Sequence, residues 1–154
     1  MASTPPTPTT LKTLLSGAGK VNGVKCWWRG SLITVFAGAS VTDTATLNGA
    51  NASDATGTVT YTVYGLVRVS RFPFWRWEPV ADGGTVAVTA GSVPPSKAVT
   101  LPAGTYEWQA SYSGDSRNDP SASRFGSETE IVIPVPQCKY GWNPGFNPFC
   151  KLRP

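Results

Sequence analysis

Residues 40–64 read SVTDTATLNGANASDATGTVTYTVY, and residues 101–115 read LPAGTYEWQASYSGD. Both stretches alternate Thr or Ser with apolar or aromatic residues, and Gly, Asn and Asp interrupt them at intervals. This period of two is typical of half-buried antiparallel strands that are joined by turns. The stretches offer few groups for acid, base or nucleophilic chemistry, so they predict an all-β sandwich and favour binding over catalysis.

The composition is that of a single turn-rich domain without a catalytic site. A chain of 154 residues can bury one core together with long loops, and 16 Gly and 14 Pro indicate many turns. The sequence has no His, which excludes Ser-His-Asp and Cys-His catalysis and His-based zinc sites. Asp54, Asp115 and Asp119 lack a calcium-binding spacing and are predicted to form turns. We therefore expect no enzymatic activity, no cofactor and no metal ion.

The chain is modestly basic, with 13 Lys and Arg against 9 Asp and Glu and a net charge of +4. An ordinary protein surface can carry this excess, so we expect no nucleic-acid partner. The first ten residues, MASTPPTPTT, have neither the basic nor the apolar segment of an export signal. No apolar run has the length that a membrane span needs, so we expect none.

The sequence pattern predicts about seven to eight strands within three regions. The regions are a Thr- and Pro-rich N-terminal arm, a sandwich and an aromatic tail rich in Pro and Gly, at residues 1–9, 10–135 and 136–154. Residues 24–30 and 66–80 are predicted to be aromatic and basic insertions between strands, because prolines keep the second from forming a central strand. Residues 10–15 are predicted as the first strand, and residues 16–23 as a loop.

Alternation along the predicted strands assigns side chains to the core. Residues 105–112 give the strongest amphipathic strand, with Glu107 facing water, and residues 127–135 give a last strand with Ile131, Ile133 and Val135 facing inward. Asp43 falls on the apolar face of its strand. The principal core residues are predicted to be Tyr61, Tyr106, Trp108, Tyr112 and Ile131.

The sequence pattern of the strands and turns resembles that of the bacterial immunoglobulin-like domains, which occur in bacterial surface proteins and phage virion proteins. The resemblance covers most of residues 9–135, through SVTDTATLNGANASDATGTVTYTVY, GGTVAV, VPPSKAVTLPAGTYEWQASYSGDSRND and GSETEIVI. It implies an immunoglobulin-like antiparallel β-sandwich. It also implies a location in a virion or on an outside surface.

The resemblance implies roles for two residues, and the sequence departs from the family pattern at one point. Tyr106 stands where these folds place a corner tyrosine that bonds upstream backbone, and Trp108 stands at a core position that is often Cys in antibodies. Relatives often carry a disulfide between the loop after YTVY and the residue before GSE. Here both cysteines are missing, and we expect Phe125 to contact Phe72 or Phe74 instead.

Three segments are both aromatic and basic, which is unusual for the loops of a sandwich because loops face water. Aromatic and Arg side chains are typical anchors of protein interfaces. We therefore predict that these segments bind a partner. The partner-binding residues are Trp27, Trp28, Arg29, Arg71, Phe72, Phe74, Trp75, Arg76, Trp77, Tyr140, Trp142, Phe146 and Phe149.

Two arrangements would cover these rings, and they are compatible. The segments could pack on one another and close one end of the sandwich, or they could form an interface with other protein subunits. Stacking on a glycan and binding at a membrane interface are further alternatives. The favoured function is a non-enzymatic contact module in an oligomeric assembly, such as a decoration, head or tail accessory protein of a phage. The alternative is a fragment of a bacterial surface adhesin that binds glycan or protein.

The three cysteines, Cys26, Cys138 and Cys150, cannot all pair within one chain. Cys138 and Cys150 enclose KYGWNPGFNPF, whose turns could bring the two sulfurs together, and a disulfide there would add about 3 kcal/mol. Three reduced or buried thiols are the alternative, and both remain open. Zinc is not expected, because neither CxxC spacing nor His is present.

Overall fold

The computed structural model describes residues 4–69 and 74–135, and these residues form two β-sheets that pack as a sandwich. The described residues contain nine strands and a short 3₁₀ helix at Ala52–Asp54. The strands are β1 (Thr9–Val21), β2 (Val24–Gly30), β3 (Leu32–Phe36), β4 (Ser40–Gly49), β5 (Thr58–Val69), β6 (Phe74–Ala87), β7 (Gly104–Tyr112), β8 (Ser121–Ala122) and β9 (Thr129–Ile133).

One sheet has three strands in the order β2-β1-β4, and the other has six. The larger sheet has the order β3-β9-β7-β5-β6, with the short β8 beside β7. Among the described strands, β3 pairs with β9 in parallel and the other strand pairs are antiparallel. The prediction of an all-β sandwich is therefore confirmed, and the parallel pair of β3 and β9 departs from the predicted antiparallel arrangement.

The first hairpin replaces a predicted loop and a predicted insertion. β1 continues to Val21, and β2 occupies residues 24–30 along its edge. Asn22 and Gly23 have φ angles of 49° and 82°, the positive values that two-residue hairpin turns require. The structure therefore corrects residues 16–23 and 24–30 to two paired strands and their turn.

Within the predicted insertion at residues 66–80, residues 66–69 and 74–80 are also strand. β5 runs without interruption to Val69, and β6 begins at Phe74 and pairs with it along its whole length. Pro79 lies in β6, where a missing N–H is tolerated because β6 is an edge strand. Residues 98–101, predicted as a strand, instead contribute a single bridge between Val41 and Val99.

The core lies between the sheets and divides into two clusters along the strands. Tyr61, Trp108 and Tyr112 are buried to 1% exposure or less, and Tyr106 is 8% exposed. One cluster surrounds Trp108 and the other surrounds Tyr61 and Tyr112. These four aromatic residues occupy the positions that the alternation of β5 and β7 predicts.

In the last strand, the side chains that face the core are the ones that were predicted to face outward. Val132 is 4% exposed and Glu130 is fully buried, whereas Ile131 and Ile133 are only half-buried. Ile131 is therefore not a core residue, Ile133 does not face inward as predicted, and Val135 lies beyond the end of β9 and is half-buried. The inward positions at this end of the chain carry the carboxyl groups of Glu128 and Glu130.

Candidate functional site

The hairpin of β5 and β6 extends beyond the rest of its sheet. β7 follows β5 only as far as the pair Gly65 and Tyr106, whereas β6 follows it to the pair Val69 and Phe74. Residues 66–69 and 74–77 therefore form a two-stranded extension, here called the ribbon. Among the described residues no third strand pairs with the ribbon, so its side chains lie at the surface unless another surface packs on them.

Both faces of the ribbon are apolar. Leu66 is paired with Trp77 and Arg68 with Trp75, so these four side chains share one face. The other face carries the remaining four, Val67, Val69, Phe74 and Arg76. Phe74 is 67% exposed and Trp75 is 63% exposed. Soluble proteins rarely expose contiguous apolar surface of this kind without a partner.

Aromatic contacts fix the base of the ribbon to the larger sheet. The ring of Phe125 lies edge-on to Tyr64 at 5.2 Å and to Trp77 at 5.8 Å, measured between centroids. Trp77 is half-buried as a result. Phe125 therefore contacts the predicted aromatic segment through Trp77, and the predicted partner Phe72 lies outside the described residues.

A groove of about 500 Å³ opens beside the base of the ribbon. Its walls are mainly apolar and include Leu66, Val80, Leu101, Ala103 and Tyr106. Val80 is 45% exposed, so the apolar surface of the ribbon continues into the groove. Apolar grooves that adjoin exposed aromatic side chains are typical of protein docking surfaces.

The other predicted aromatic segment, β2, divides its side chains between two environments. Trp27 points outward and is 72% exposed, and Arg29 is exposed beside it. Trp28 instead faces the interior, where it packs against the core and lies 6.3 Å from the ring of Phe36. Trp28 is therefore less accessible to a partner than Trp27 and Arg29 are.

Several predicted site residues lie outside the described residues. They are Arg71, Phe72, Tyr140, Trp142, Phe146 and Phe149, together with the candidate disulfide of Cys138 and Cys150. Cys26 lies in β2 as a free thiol, and its Sγ is 3.7 Å from the carbonyl oxygen of Val24. The predicted packing of the three aromatic segments on one another stays untested, because the tail is one of them.

The interior contains carboxyl groups that sequence reasoning did not predict there. Asp43, Glu128 and Glu130 are each exposed by 1% or less. Asp43 comes from the smaller sheet, and its Oδ1 accepts the backbone N–H of Leu14 at 3.2 Å. Glu130 comes from β9 of the larger sheet, and Glu128 lies just before β9. Because they are enclosed in the core, substrates cannot reach them, and we assign them a structural part.

Burial changes the acidity of these groups. Burial raises the pKa of Glu128 far above its ordinary value, and the nearby charge of Asp43 raises it further. Burial also raises the pKa of Asp43. Both carboxyls therefore favour the protonated form more than an exposed carboxyl does. Within the described residues, neither carboxyl oxygen of Glu128 has a hydrogen-bond partner, and Oδ2 of Asp43 has none either.

Two further acidic residues serve local structure. Glu107, predicted to face water, is 8% exposed, and its carboxylate accepts the hydroxyl of Thr129 at 3.0 Å. Asp115 accepts backbone N–H groups from Thr56 and Arg117, each at 2.8 Å. These bonds hold the pKa of Asp115 well below its usual range. Asp115 therefore organises a turn, in agreement with the prediction from its sequence context.

Sequence signals for the missed features are present in retrospect. Asn22-Gly23 is the strongest short hairpin signal, and it lies between two alternating segments. The alternation of β5 continues beyond Tyr64 in LVRV. Only the inward carboxyls lack such a signal, because apolar periodicity places Ile131 inside and Glu130 outside.

Comparison with protein-family models, with curated proteins and with solved structures gave no significant match. Within residues 4–69 and 74–135, no helix has the length and hydropathy to cross a membrane. The same residues hold no group of three or more His, Cys, Asp or Glu side chains placed to bind a metal ion.

Proposed function

We propose that this chain is a non-enzymatic immunoglobulin-like module that makes protein–protein contacts in a larger assembly, as an accessory protein of a phage particle. The observation that carries the proposal is the ribbon, whose two faces expose apolar side chains beyond the edge of the sheet. The partner is a neighbouring protein subunit.

The immunoglobulin-like part of the proposal is supported by the order of the strands and by one side chain. β9, β7, β5 and β6 lie side by side, and β4 belongs to the opposite sheet with β1. This order matches the GFCC′ and AB strands of an immunoglobulin-like sandwich. The hydroxyl of Tyr106 donates to the carbonyl of Pro102 at 2.9 Å, the bond that a corner tyrosine makes.

The ribbon is suited to bind a subunit because it presents large, rigid side chains without burying them itself. Trp75 and Phe74 have few rotatable bonds, so fixing them at an interface costs little conformational entropy. Arg68 lies opposite Trp75 on the same face and adds a side chain that is common at interface centres. The groove at the base enlarges the apolar surface that a partner can cover.

Static light scattering of the whole chain tests this proposal. We expect wild-type protein to associate with rising concentration, because ribbons of neighbouring copies cover one another when the native partner is absent. Trp75→Glu places a charge on the ribbon, and it is expected to give a monomer. Trp27→Glu is the matched control, since Trp27 is at least as exposed as Trp75 but lies on the other sheet, and it is expected to associate like wild type.

A wild-type chain that stays monomeric at high concentration would contradict the assembly role. Equal association of wild type and Trp75→Glu would show that the ribbon is not the contact surface. Circular dichroism of each variant establishes that the sandwich is folded, so a loss of association is not mistaken for unfolding.

A second candidate function is that of a fragment of a bacterial surface adhesin. The specific observation in its favour is the exposed indole of Trp27, which belongs to the other sheet from the ribbon and lies on a face with polar neighbours. An adhesin of this kind would bind its ligand through β2 and would not need the ribbon.

A further inference from the structure

The outer face of the three-stranded sheet, here called the Trp27 face, has a regular arrangement of side chains. The register of β2, β1 and β4 places Trp27, Ala18 and Ser40 in one row across the sheet. The adjacent row contains Arg29, Ser16 and Thr42, and the row on the other side contains Lys25 and Lys20. Rows across a sheet bring side chains within about 5 Å of one another at Cβ, so these residues form one surface.

Small residues on β1 make this surface concave. Ser16 and Ala18 are the outward residues of β1 beside Trp27, and neither fills the space next to the indole. A hollow of about 510 Å³ lies on the Arg29 side of Trp27, and another of about 610 Å³ lies on the Lys25 side. The indole thus stands between two hollows on a shallow trough that follows β1.

The charge on the Trp27 face is of one sign. The three strands contain a single acidic residue, Asp43, and it is fully buried on the inner face. The same strands expose four cations, Lys12, Lys20, Lys25 and Arg29. Within the described parts of the chain these four form no ion pair, whereas Arg76, Lys97 and Arg117 each do.

Hydroxyl groups complete the surface. Ser16 and Thr42 lie beside Arg29, and Ser40 lies beside Ala18. Thr42 and Ser40 make only long hydrogen bonds, 3.4 Å to the carbonyl of Ser16 and 3.3 Å to the hydroxyl of Thr100. Such hydroxyls can exchange these weak bonds for bonds to a ligand at small cost.

We propose that the Trp27 face binds an acidic polysaccharide, a chain of sugar rings that carries carboxylate or sulfate groups. The flat indole offers one sugar ring an apolar surface on which to stack. Ser16, Ser40 and Thr42 bond the sugar hydroxyls beside it. Lys20, Lys25 and Arg29 neutralise the anionic groups of the neighbouring rings in the two hollows.

The same features argue against the other ligand classes. A neutral glycan is usually held by acidic and amide side chains that accept its hydroxyl protons, and among the described residues the rows of this face that contain Trp27, Arg29 and Lys25 have none. A nucleic-acid surface would need more cations along a longer path, because each phosphate contact adds only a small increment of affinity. A single indole among spaced cations and hydroxyls fits a chain in which sugar rings alternate with isolated charges.

This proposal goes beyond the assembly role, because it uses a different sheet from the ribbon. The ribbon belongs to β5 and β6 at one edge of the larger sheet, and the Trp27 face belongs to the smaller sheet. Either proposal can therefore fail while the other holds. Substitutions at Trp27 and Trp75 distinguish them.

The test measures binding of four polymers to the Trp75→Glu variant, in which association through the ribbon is removed. The polymers are polygalacturonate, dextran sulfate, neutral dextran and a single-stranded (dT)₂₀ oligonucleotide, and isothermal titration calorimetry follows them in 0.05 M and 0.15 M salt. We expect polygalacturonate or dextran sulfate to bind, and the tighter of the two identifies the anionic group. Added salt is expected to weaken the binding, because screening lowers the attraction between charges.

Single substitutions locate the site. In the same background, Trp27→Ala and Arg29→Ala are each expected to weaken binding of the acidic polysaccharide by about tenfold, or roughly 1.4 kcal/mol. Arg68→Ala is the matched control for charge, because Arg68 is exposed but lies on the ribbon, and it is expected to change binding less than twofold. Circular dichroism shows that each variant is folded.

Three results would overturn the proposal. The first is the failure of both acidic polysaccharides to bind in 0.05 M salt. The second is binding of (dT)₂₀ or neutral dextran as tight as that of the acidic polysaccharides, which would indicate a different ligand class. The third is unchanged binding in Trp27→Ala, which would show that the ligand lies elsewhere.

Discussion

The indole N–H of Trp108 donates a hydrogen bond of 2.8 Å to Oε2 of Glu130, and both side chains are completely buried between the sheets. Oε1 of Glu130 has no hydrogen-bond partner among the described residues. Burial raises the pKa of Glu130 to about 7, although the bond from Trp108 opposes the shift. Between about pH 4.5 and 7, the carboxyl of Glu130 therefore keeps a proton that an exposed glutamate would lose.

The first prediction concerns the pH dependence of stability. Glu128 and Glu130 have raised pKa values in the folded state, so the unfolded chain loses these protons at lower pH than the folded chain does. The free energy of unfolding should therefore fall as the pH rises from about 4.5 through 7. Urea denaturation at pH 5, 6, 7 and 8 measures this slope. A free energy of unfolding that rises over this range would contradict the buried protons.

Replacing one of these carboxyls should flatten that slope. In Glu130→Gln the amide oxygen can still accept the N–H of Trp108, but it has no proton to lose. We expect the variant to exceed wild type by about 1–3 kcal/mol at pH 8 and to match it at pH 5. Asp54→Asn is the control at an exposed carboxyl, and it should change stability by less than about 0.5 kcal/mol at either pH. If the free energy of unfolding has the same slope against pH in wild type and Glu130→Gln, Glu130 is not the source of the pH dependence.

The hydroxyl of Tyr61 gives a third prediction. It accepts the buried N–H of Ala45 at 3.2 Å and donates to the carbonyl of Pro94 at 2.9 Å. Tyr61→Phe leaves both backbone groups without this partner, and it should lower the free energy of unfolding by about 1–3 kcal/mol. Tyr64→Phe is the matched control, because its hydroxyl makes no hydrogen bond within the described residues. Denaturant titration should show a larger loss in the free energy of unfolding for Tyr61→Phe than for Tyr64→Phe. Equal losses would show that the hydroxyl of Tyr61 does not stabilise the fold by bridging the two backbone groups.

The phase of β9 gives a fourth prediction, for which two adjacent residues serve as each other's control. Val132→Thr buries a hydroxyl in the core, and it should cost about 1–3 kcal/mol. Ile131→Thr places the hydroxyl on the half-buried outer side and should cost less than about 1 kcal/mol. Both replacements keep a β-branched side chain, so strand propensity changes little. If thermal unfolding ranks the two variants in the reverse order, Ile131 faces the core, as periodicity predicts, and the phase described for β9 is wrong.

The alternation of apolar side chains predicts most of this fold. Val59, Tyr61 and Val63 are fully buried, and Tyr106, Trp108 and Tyr112 line the core from β7, because one face of each strand is uniformly apolar. The aromatic residues of the candidate surfaces could be predicted as well, since Trp75 and Trp27 lie in segments that are dense in aromatic and basic residues. Their placement in paired strands is signalled more weakly, by Asn22-Gly23 beside β2 and by the alternation of β5, while Pro79 and charged residues conceal the edge strand β6.

The buried acids lie beyond such reasoning for a physical reason. A prediction from apolar periodicity assumes that a glutamate is charged. Burying a charged carboxylate in the core would cost too much free energy. A protonated carboxyl that is bonded to Trp108, as in Glu130, costs far less, but this partner is set by the sheet register and not by neighbouring sequence. Asp43 of the smaller sheet and Glu128, which lies just before β9, come near each other only in the folded structure.

Hydrogen exchange of the ribbon amides under associating conditions tests the docking role most directly. Amides of residues 66–69 and 74–77 would be compared between concentrated wild-type protein and the Trp75→Glu variant. We predict that these amides become protected in the wild type as it associates and stay exchangeable in the variant. Protection that arises elsewhere on the sandwich, with ribbon exchange the same in both proteins, would contradict it.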